Sequence, residues 1–358
     1  MKTLYKIIVL IFLIPFISNA HEKDGKYTKN KVINKEFTVN SNALLNVSNK
    51  YGNIVISSWN ENRIAIKVSI TTNGNDEEKV KKRLEQIDVE FKGTLNNVSA
   101  KTVIEKSSSS WSFFGNKSNV NMEINYLIQM PISNSINLNN DYGSITIDKI
   151  EGSSKINCDY GKITIGELLN SDNNINIDYT NNSNIDFMKE GNINADYSTL
   201  NIDRSDNVEL NADYSHISFG KIDKLNFNCD YGSLKIKEVN NIIGNCDYMQ
   251  TIISKVGEIG NFDMDYGNIK INELGKDLKN LQINTSYTQI KIGVSPINSF
   301  KINASLSYGN LKKVEGFTFN KEIQKSTSKY YEGYFNLQNS TSTVSVKSNY
   351  GNLTFYNN

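Results

Sequence analysis

The residues that could bind a metal ion fall at one repeated position. An aspartate immediately precedes a tyrosine at eight successive places: Asp141, Asp159, Asp178, Asp196, Asp213, Asp230, Asp247 and Asp265. Ca²⁺ prefers clustered carboxylate oxygens, so one hypothesis is a row of bound cations. The alternative is local, because a carboxylate can accept backbone N–H groups at a turn. Ser286, Ser307 and Asn349 occupy the same position elsewhere and could form such turns too.

Histidine and cysteine offer no recognisable catalytic pattern. The two histidines, His21 and His216, complete no Ser-His-Asp or Cys-His arrangement and no zinc-ligand spacing. The three cysteines, Cys158, Cys229 and Cys246, each lie two residues before a tyrosine, where other repeats have an apolar residue. This position favours buried thiols that act as small hydrophobic side chains. The alternative is a disulfide between Cys229 and Cys246 in an exported protein.

These residues are positioned by an internal repeat. The sequence Asp-Tyr-Gly or a near variant recurs at intervals of 17 to 21 residues. Its tyrosines are Tyr142, Tyr160, Tyr179, Tyr197, Tyr214, Tyr231, Tyr248, Tyr266, Tyr287 and Tyr308. Tyr350 follows after twice that interval, and Tyr51 carries the same motif 91 residues before Tyr142.

Each repeat predicts two short strands joined at a bend. In the repeat around Tyr160, Ile156 and Cys158 alternate with polar residues, and Ile163 and Ile165 alternate after it. The change of parity predicts a bend at Gly161-Lys162. A unit this short must stack on its neighbours to bury its apolar face. The fold class is therefore all-β: a parallel β-solenoid of 17–21-residue coils, right-handed by the general preference of parallel crossovers.

The tyrosines and asparagines of the repeat also have predicted positions. Tyr160 has the parity of Cys158, which favours an inward or corner tyrosine, and an outward aromatic ladder is the alternative. Asparagines recur three residues before the tyrosine and predict a hydrogen-bonded ladder. They are Asn157, Asn176, Asn194, Asn211, Asn228 and Asn245.

The remaining segments divide the chain further. Residues 1–20 read as a signal peptide, 21–36 as a flexible segment, 37–59 as the first coil and 132–358 as the repeats. Residues 60–131 interrupt the period and predict a strand-rich capping module with one helix at about 75–87. Within this module, Trp111, Phe113 and Phe114 follow a serine run. They could form a contact loop for a partner, or an aromatic plug that folds back onto the cap.

Charge and hydropathy restrict the kinds of partner that the sequence predicts. The chain has 39 basic and 38 acidic residues, so removing Lys2 and Lys6 with the signal peptide leaves 37 against 38. This balance is not typical of nucleic-acid binding, which needs a clustered basic surface. No stretch after residue 20 is long and apolar enough for a transmembrane helix, and no cysteine follows the cleavage point for a lipid anchor.

The chain resembles the bacterial putative-adhesin family, domains of unknown function found in envelope proteins. The resemblance rests on the module ending in Tyr126-Leu127-Ile128-Gln129-Met130-Pro131, on the step Gly143-Ser144-Ile145-Thr146-Ile147, and on the spacer Ile150-Glu151-Gly152. It implies a β-solenoid and a role in adhesion, and it supplies no catalytic residues.

These observations predict an exported, non-enzymatic, adhesin-like binding or scaffolding protein without a required cofactor. Its location would be periplasmic, extracellular or at the cell surface, with an envelope protein or an extracellular glycan or matrix ligand as partner. One alternative is a periplasmic envelope-sensing or assembly component that docks a membrane partner. A second is a polysaccharide-active β-helix enzyme, which would need an acid pair, or Arg and Lys beside carboxylates, in a groove.

Overall fold

The computed structural model describes residues 25–105 and 120–358, and these residues form an all-β protein with one helix. The prediction of an all-β protein is confirmed. In chain order the elements are β1 (Tyr27–Thr38), β2 (Leu44–Lys50), β3 (Ile54–Trp59), β4 (Arg63–Gly74), α1 (Glu77–Glu85), β5 (Ile87–Gly93), β6 (Asn97–Ile104), β7 (Asn121–Pro131), β8 (Ser135–Asp141), β9 (Ser144–Ile150), β10 (Ser154–Asp159), β11 (Lys162–Leu168), β12 (Asn173–Asp178), β13 (Ser183–Asp196), β14 (Thr199–Asp213), β15 (His216–Asp265), β16 (Asn268–Leu274), β17 (Asn280–Ser286), β18 (Gln289–Val294), β19 (Phe300–Ser307), β20 (Leu311–Lys312), β21 (Phe317–Gln324), β22 (Ser328–Phe335), β23 (Thr343–Asn349) and β24 (Leu353–Asn357).

The described residues fall into two compact units. The smaller comprises residues 25–31, 70–88, 104–105 and 120–123, and it contains α1. Asp76 caps this helix, because its carboxylate accepts the backbone N–H of Lys79 at 3.2 Å. Val80 is its buried residue. The larger unit comprises residues 32–69, 89–103 and 124–358.

Residues 21–36 were predicted to be flexible, but the structure shows strand β1 from Tyr27 onward. Its side chains alternate between half-buried and exposed, as in a strand with one covered face. In the smaller unit, Lys29 forms an ion pair of 2.6 Å with Glu77, and the Asn73 side-chain amide donates to the Tyr27 carbonyl at 3.2 Å. These contacts fix a segment whose hydrophilic composition alone is typical of a flexible chain.

Successive repeats in the larger unit pair in parallel and in register. Asp159 of β10 lies beside Asp141 of β8 and Asp178 of β12. The pairing continues through β13 and β14 into β15, position by position. Strands after the tyrosine pair in the same way, with Ile163 beside Ile145. Equivalent positions of successive repeats therefore pair with one another, so the spacing of the repeat in the sequence sets the register of the sheet. We call each repeat with its two strands a coil.

The first coil stacks on the coil of Tyr142 across the long interruption. Lys50 pairs with Asp141 between β2 and β8, and Ile54 pairs with Ile145 between β3 and β9. On their other side, β2 pairs with β6 and β3 with β7, again in parallel.

Apolar side chains of the coils form one continuous core. In the coil of Tyr160, Ile156, Cys158, Ile163 and Ile165 are at most 1% exposed, and most of their counterparts in the stacked coils are also buried. Fully burying one such side chain stabilises a protein by about 1.5–3 kcal/mol. Stacking supplies this burial, because a single coil has no second layer of its own.

The bend in each coil lies at the tyrosine itself, one residue before the predicted Gly161-Lys162. Tyr160 has a φ of 53°, in the left-handed region. Its backbone N–H still donates to the carbonyl of Asp178 in the next coil, at 2.9 Å. Gly161 follows because a Cβ there would lie 2.0 Å from the carbonyl oxygen of Gly143 in the adjacent coil.

The C-terminal coil is not the terminal layer of the stack. Strand β23 lies between β17 and β19, in parallel with both. Beyond β19, the chain continues as a hairpin, because β22 is antiparallel to β19 and β21 is antiparallel to β22. The last coil by sequence order, around Tyr350, is therefore enclosed on both sides.

Candidate functional site: a ladder of tyrosine rings

Twelve repeat tyrosines form one uninterrupted stack of rings, which we call the tyrosine ladder. Neighbouring ring centroids are 4.7–5.3 Å apart and neighbouring ring planes differ by at most 13°. In spatial order the ladder is Tyr51, Tyr142, Tyr160, Tyr179, Tyr197, Tyr214, Tyr231, Tyr248, Tyr266, Tyr287, Tyr350 and Tyr308.

The ladder faces outward, so the expectation of inward tyrosines is wrong, whereas the expectation of a corner position agrees with the bend at the tyrosine. Tyr51 is half-buried, and the other eleven are 43–60% exposed. Cys158, two residues before Tyr160, is fully buried. Strand alternation would place both side chains on one face, but that rule holds only while the backbone stays extended. The positive φ at the tyrosine turns its side chain away from the core.

The ladder carries a conformational cost that its stacking offsets. All twelve tyrosines have a φ of 50–63°. This conformation costs an L-residue other than glycine roughly 1–2 kcal/mol, whereas one stacked aromatic pair contributes about 0.5–1.5 kcal/mol beyond its buried area. The two terms are of similar size. A gain in stability therefore does not explain why an aromatic residue recurs where asparagine or glycine would be less strained.

The predicted cation row lies beside the ladder as a line of aspartates in register. Burial raises the pKa of Asp159, Asp213 and Asp247 above its usual range, and the charges of neighbouring aspartates raise it further. At one end, Lys50 lies 3.5 Å from Asp141 and 5.4–5.5 Å from the ring centres of Tyr51 and Tyr142. Neighbouring aspartates of the row therefore repel one another, and among the described residues only Asp141 has a lysine partner.

Hydrogen bonds of the aspartate side chains connect adjacent coils. Asp230 accepts the backbone N–H of Asp247 at 3.0 Å, and Asp265 accepts that of Ser286 at 2.7 Å. A carboxylate can thus be satisfied by the neighbouring coil. Within the described ranges, no three side chains of His, Cys, Asp or Glu are grouped so as to hold a metal ion. Cation binding by the row stays a prediction.

The asparagine ladder is confirmed from Asn157 to Asn211. Each side-chain amide donates to the carbonyl oxygen of the preceding asparagine: Asn176 to Asn157 at 2.7 Å, Asn194 to Asn176 at 2.7 Å, and Asn211 to Asn194 at 3.2 Å. These amides form a polar column on the outer surface of the strands that precede the tyrosines.

The cysteines are free and buried, as the repeat position predicts. Cys158, Cys229 and Cys246 are at most 3% exposed, and none is in a disulfide. Burial raises the pKa of Cys158 and of Cys246 to about 12. All three thiols are therefore held protonated in the core, and the alternative of a bond between Cys229 and Cys246 is wrong for this structure.

The larger unit has a polar groove of about 340 Å³, the kind of feature that a polysaccharide-active enzyme would need. Its lining includes Glu190, Asn207, Glu209, Lys224 and Asn226. Glu209 and Lys224 are exposed, and Glu209 accepts a hydrogen bond of 2.6 Å from Asn226. The groove contains two glutamates and a lysine, and of the two glutamates Glu209 is exposed and Glu190 is half-buried.

Two further predictions concern residues outside the described ranges. The aromatic loop of Trp111, Phe113 and Phe114 lies between residues 105 and 120, and the signal peptide lies before residue 25. Among the described residues, no helix has the length and apolar character needed to cross a membrane.

Sequence reasoning identified the tyrosines but not their direction. The signal that could have shown it is the glycine that follows most of them. In this protein the left-handed residue is the tyrosine, and the glycine accommodates the close approach of the next coil. A period-two count through the bend therefore assigns the wrong face.

Comparisons with known proteins give remote structural matches. No family model and no curated protein matches the chain. A putative cell adhesion protein from Clostridium sporogenes is 13% identical, with 93% of this chain and 100% of that chain covered and a TM-score of 0.18. A putative adhesin from Bacteroides fragilis is 12% identical, with 91% and 97% covered and a TM-score of 0.24.

A third match is a putative lipid binding protein. It comes from Parabacteroides distasonis and is 10% identical, with 91% of this chain and 96% of that chain covered and a TM-score of 0.28. The adhesin descriptions agree with the family resemblance. All three TM-scores are below 0.5.

Proposed function

We propose that this protein is an exported, non-enzymatic, adhesin-like binding or scaffolding protein of the bacterial cell envelope. Its repeats would form a right-handed parallel β-solenoid, with residues 60–131 as an N-terminal capping module. Its binding surface would be the tyrosine ladder with the polar columns beside it. The partner would be an envelope protein or an extracellular glycan or matrix ligand.

The observation that supports this proposal is the outward ladder of half-exposed rings. Exposed aromatic side chains with hydroxyl groups are typical of protein binding surfaces, because they combine apolar area with a hydrogen-bonding group. Each tyrosine has a strained backbone, and ring stacking offsets this strain without exceeding it. Stability therefore does not explain why tyrosine recurs at this position, whereas a binding role for the exposed ring edges does. A regular surface repeated in every coil suits a long ligand better than a small substrate.

The geometry of the ladder restricts how a glycan could bind. Both faces of every interior ring are covered by neighbouring rings, so a sugar ring cannot stack on them. Contact is limited to the ring edges, the hydroxyl groups and the flanking Asp and Asn side chains. We therefore expect hydrogen bonding along the ladder, and not face-to-face stacking, to dominate recognition.

The first test is the location of the protein in its native cell. Intact cells are treated with protease, and the membrane, periplasmic and medium fractions are then blotted. Cleavage on intact cells, or protein in the medium, is the expected result for an adhesin. Protection until the outer membrane is broken would overturn the adhesin role and favour the alternative, a periplasmic component whose partner is then sought by crosslinking.

The second test addresses the ladder. The mature chain and a variant with Tyr179→Asn, Tyr197→Asn and Tyr214→Asn are applied to glycan and matrix-protein arrays. Asparagine tolerates the left-handed conformation, so the coils are expected to remain stacked. Tyr330→Phe, off the ladder, is the control. Loss of binding in the ladder variant alone is expected, and equal binding by all three proteins would exclude the ladder as the binding surface.

A further inference from the structure

The tyrosine ladder brings twelve oxidisable phenol groups into one stack of nearly parallel rings. Most successive ring pairs lie 4.7–4.9 Å apart and within 6° of parallel, from Tyr160 through to Tyr308. At the other end, the pairs that join Tyr160 to Tyr142 and Tyr142 to Tyr51 are 5.1 and 5.3 Å apart. Adjacent rings are thus close neighbours over the whole ladder, with no larger gap between any two of them.

The members of the ladder are also nearly equivalent to one another. They share one residue type, one backbone conformation and, apart from Tyr51 at one end, a similar exposure. The exceptions are Tyr51 and Tyr142, because the positive charge of Lys50 lies 5.4–5.5 Å from their ring centres and disfavours an electron vacancy there. On the other ten rings a vacancy has nearly the same energy from one ring to the next, so none of them acts as a deep trap. In the described part of the chain, the ladder hydroxyls form no hydrogen bond with another protein group, so their protons can be released to water.

We propose that the tyrosine ladder relays one-electron oxidation along the protein. The co-reactant is a one-electron oxidant, such as a photo-oxidised metal complex or an oxygen-centred radical. It takes one electron from a phenol, whose hydroxyl proton goes to water, and a neutral tyrosyl radical remains. The radical then takes an electron and a proton from the stacked neighbour, which restores the first phenol and moves the radical by one ring.

The relay ends when two radicals meet. A carbon–carbon bond forms between the ortho carbons of two rings, and each ortho hydrogen moves to its ring oxygen, which restores both phenols. Two electrons have then passed to two equivalents of oxidant, and two protons to water. Because the ring edges face outward, the partner ring can belong to a second copy of this chain, which links the two copies covalently.

The buried cysteines make a directed test possible. All three native thiols are inside the core, so a single surface cysteine can be labelled selectively. Asn310→Cys places such a thiol two residues after Tyr308, at one end of the ladder. A photo-oxidisable ruthenium complex is attached there, the full mature chain is illuminated with a sacrificial electron acceptor at high dilution, and oxidised tyrosines are mapped by mass spectrometry.

Two variants interrupt the ladder in its middle. Tyr231→Phe with Tyr248→Phe keeps the rings and their stacking but removes the hydroxyl groups that the relay needs. Tyr231→Asn with Tyr248→Asn removes the rings and keeps the left-handed backbone. Tyr330→Phe with Tyr334→Phe, both off the ladder, is the matched control. Circular dichroism and thermal melting check that each variant is folded.

The expected result is oxidation at Tyr160 and Tyr179 in the intact protein and in the control. In both interrupted variants this distant oxidation is lost, whereas oxidation at Tyr308 and Tyr350 persists. Distant oxidation that survives in the phenylalanine pair, or that is absent from the intact protein, would overturn the relay. The inference is independent of the binding role, because array binding is a separate measurement on the intact protein: binding can be absent while distant oxidation is present, and the reverse.

Discussion

Tyr350 stacks directly on Tyr287, with ring centroids 4.8 Å apart, although Tyr308 is the next repeat tyrosine in the sequence. Tyr308 stacks on the other face of Tyr350, at 4.7 Å. The backbone follows the same order, since β23 pairs with both β17 and β19. The C-terminal segment therefore fills a layer between two coils that precede it in the sequence.

This position predicts that the C-terminal coil is essential for stability. Removal of residues 343–358 takes away Val344, Val346, Leu353 and Phe355, which are at most 3% exposed. At about 1.5–3 kcal/mol for each buried side chain, the loss is at least about 6 kcal/mol, comparable with the whole stability of many domains. Urea unfolding should show loss of a cooperative transition, or a much lower midpoint. A control that lacks only Asn357 and Asn358 should unfold like the full chain, and a similar midpoint for the long truncation would contradict the inserted layer.

The left-handed conformation of the tyrosines predicts a rank order of substitutions at Tyr197. Tyr197→Phe retains the ring and should change the free energy of unfolding by less than about 0.5 kcal/mol. Tyr197→Asn loses the stacking but accepts the backbone conformation. Tyr197→Val loses the stacking and places a β-branched residue at a φ of 50°, which should cost about 1–3 kcal/mol more. Denaturant unfolding of the three variants measures this order, and a valine variant as stable as the asparagine variant would contradict it.

The aspartate row predicts a dependence of stability on pH. Burial and neighbouring carboxylates raise the folded-state pKa of Asp159, Asp213 and Asp247 above the unfolded value of about 3.9. The folded state thus binds these protons more tightly than the unfolded chain does. Their contribution to stability is fully present below about pH 3.9 and is lost as the pH rises through the folded pKa.

Replacing these three residues with asparagine should therefore raise the melting temperature at pH 7. Since the groups are mostly exposed, the gain in stability is on the order of 1 kcal/mol or less. The difference from the parent should shrink toward pH 4 and at high salt, which screens the repulsion. Asp148→Asn, at a position outside the row, is the control. A triple variant that is less stable than the parent at pH 7 would show that the charged row is stabilised by another partner.

Calcium removal tests the cation-row hypothesis separately. If the row holds Ca²⁺, a chelator should lower the melting temperature and added Ca²⁺ should restore it, because a ligand that binds only the folded state stabilises it. The Asp→Asn triple variant should then lose this response. An unchanged melting temperature in the parent protein would exclude bound Ca²⁺ as the source of charge compensation.

Much of the fold follows from the repeat alone. Ile156 and Cys158 align with Ile175 and Ile177 because identical spacing brings the same position of each unit into register. The burial of the cysteines and the hydrogen bonds from Asn157 to Asn211 follow from that register. The cysteine position and the asparagine position both lie before the bend. The alternation of side chains along an extended strand is therefore enough to assign the face on which each lies.

The tertiary structure was needed for two kinds of feature. One is a residue at which the backbone is no longer extended, and the other is a strand whose neighbours in space are not its neighbours in sequence. The φ of 53° at Tyr160 reverses the face that strand alternation assigns, and stacking on neighbouring rings offsets its cost. The antiparallel hairpin of β21 and β22 and the return of β23 between earlier coils depend on long-range pairing. The sequence by itself determined the period, the register and the inward columns, since these are properties of one unit repeated. The outward ladder and the order of the last coils were decided only by contacts between units distant in the chain, because many chain paths are compatible with the same local pattern.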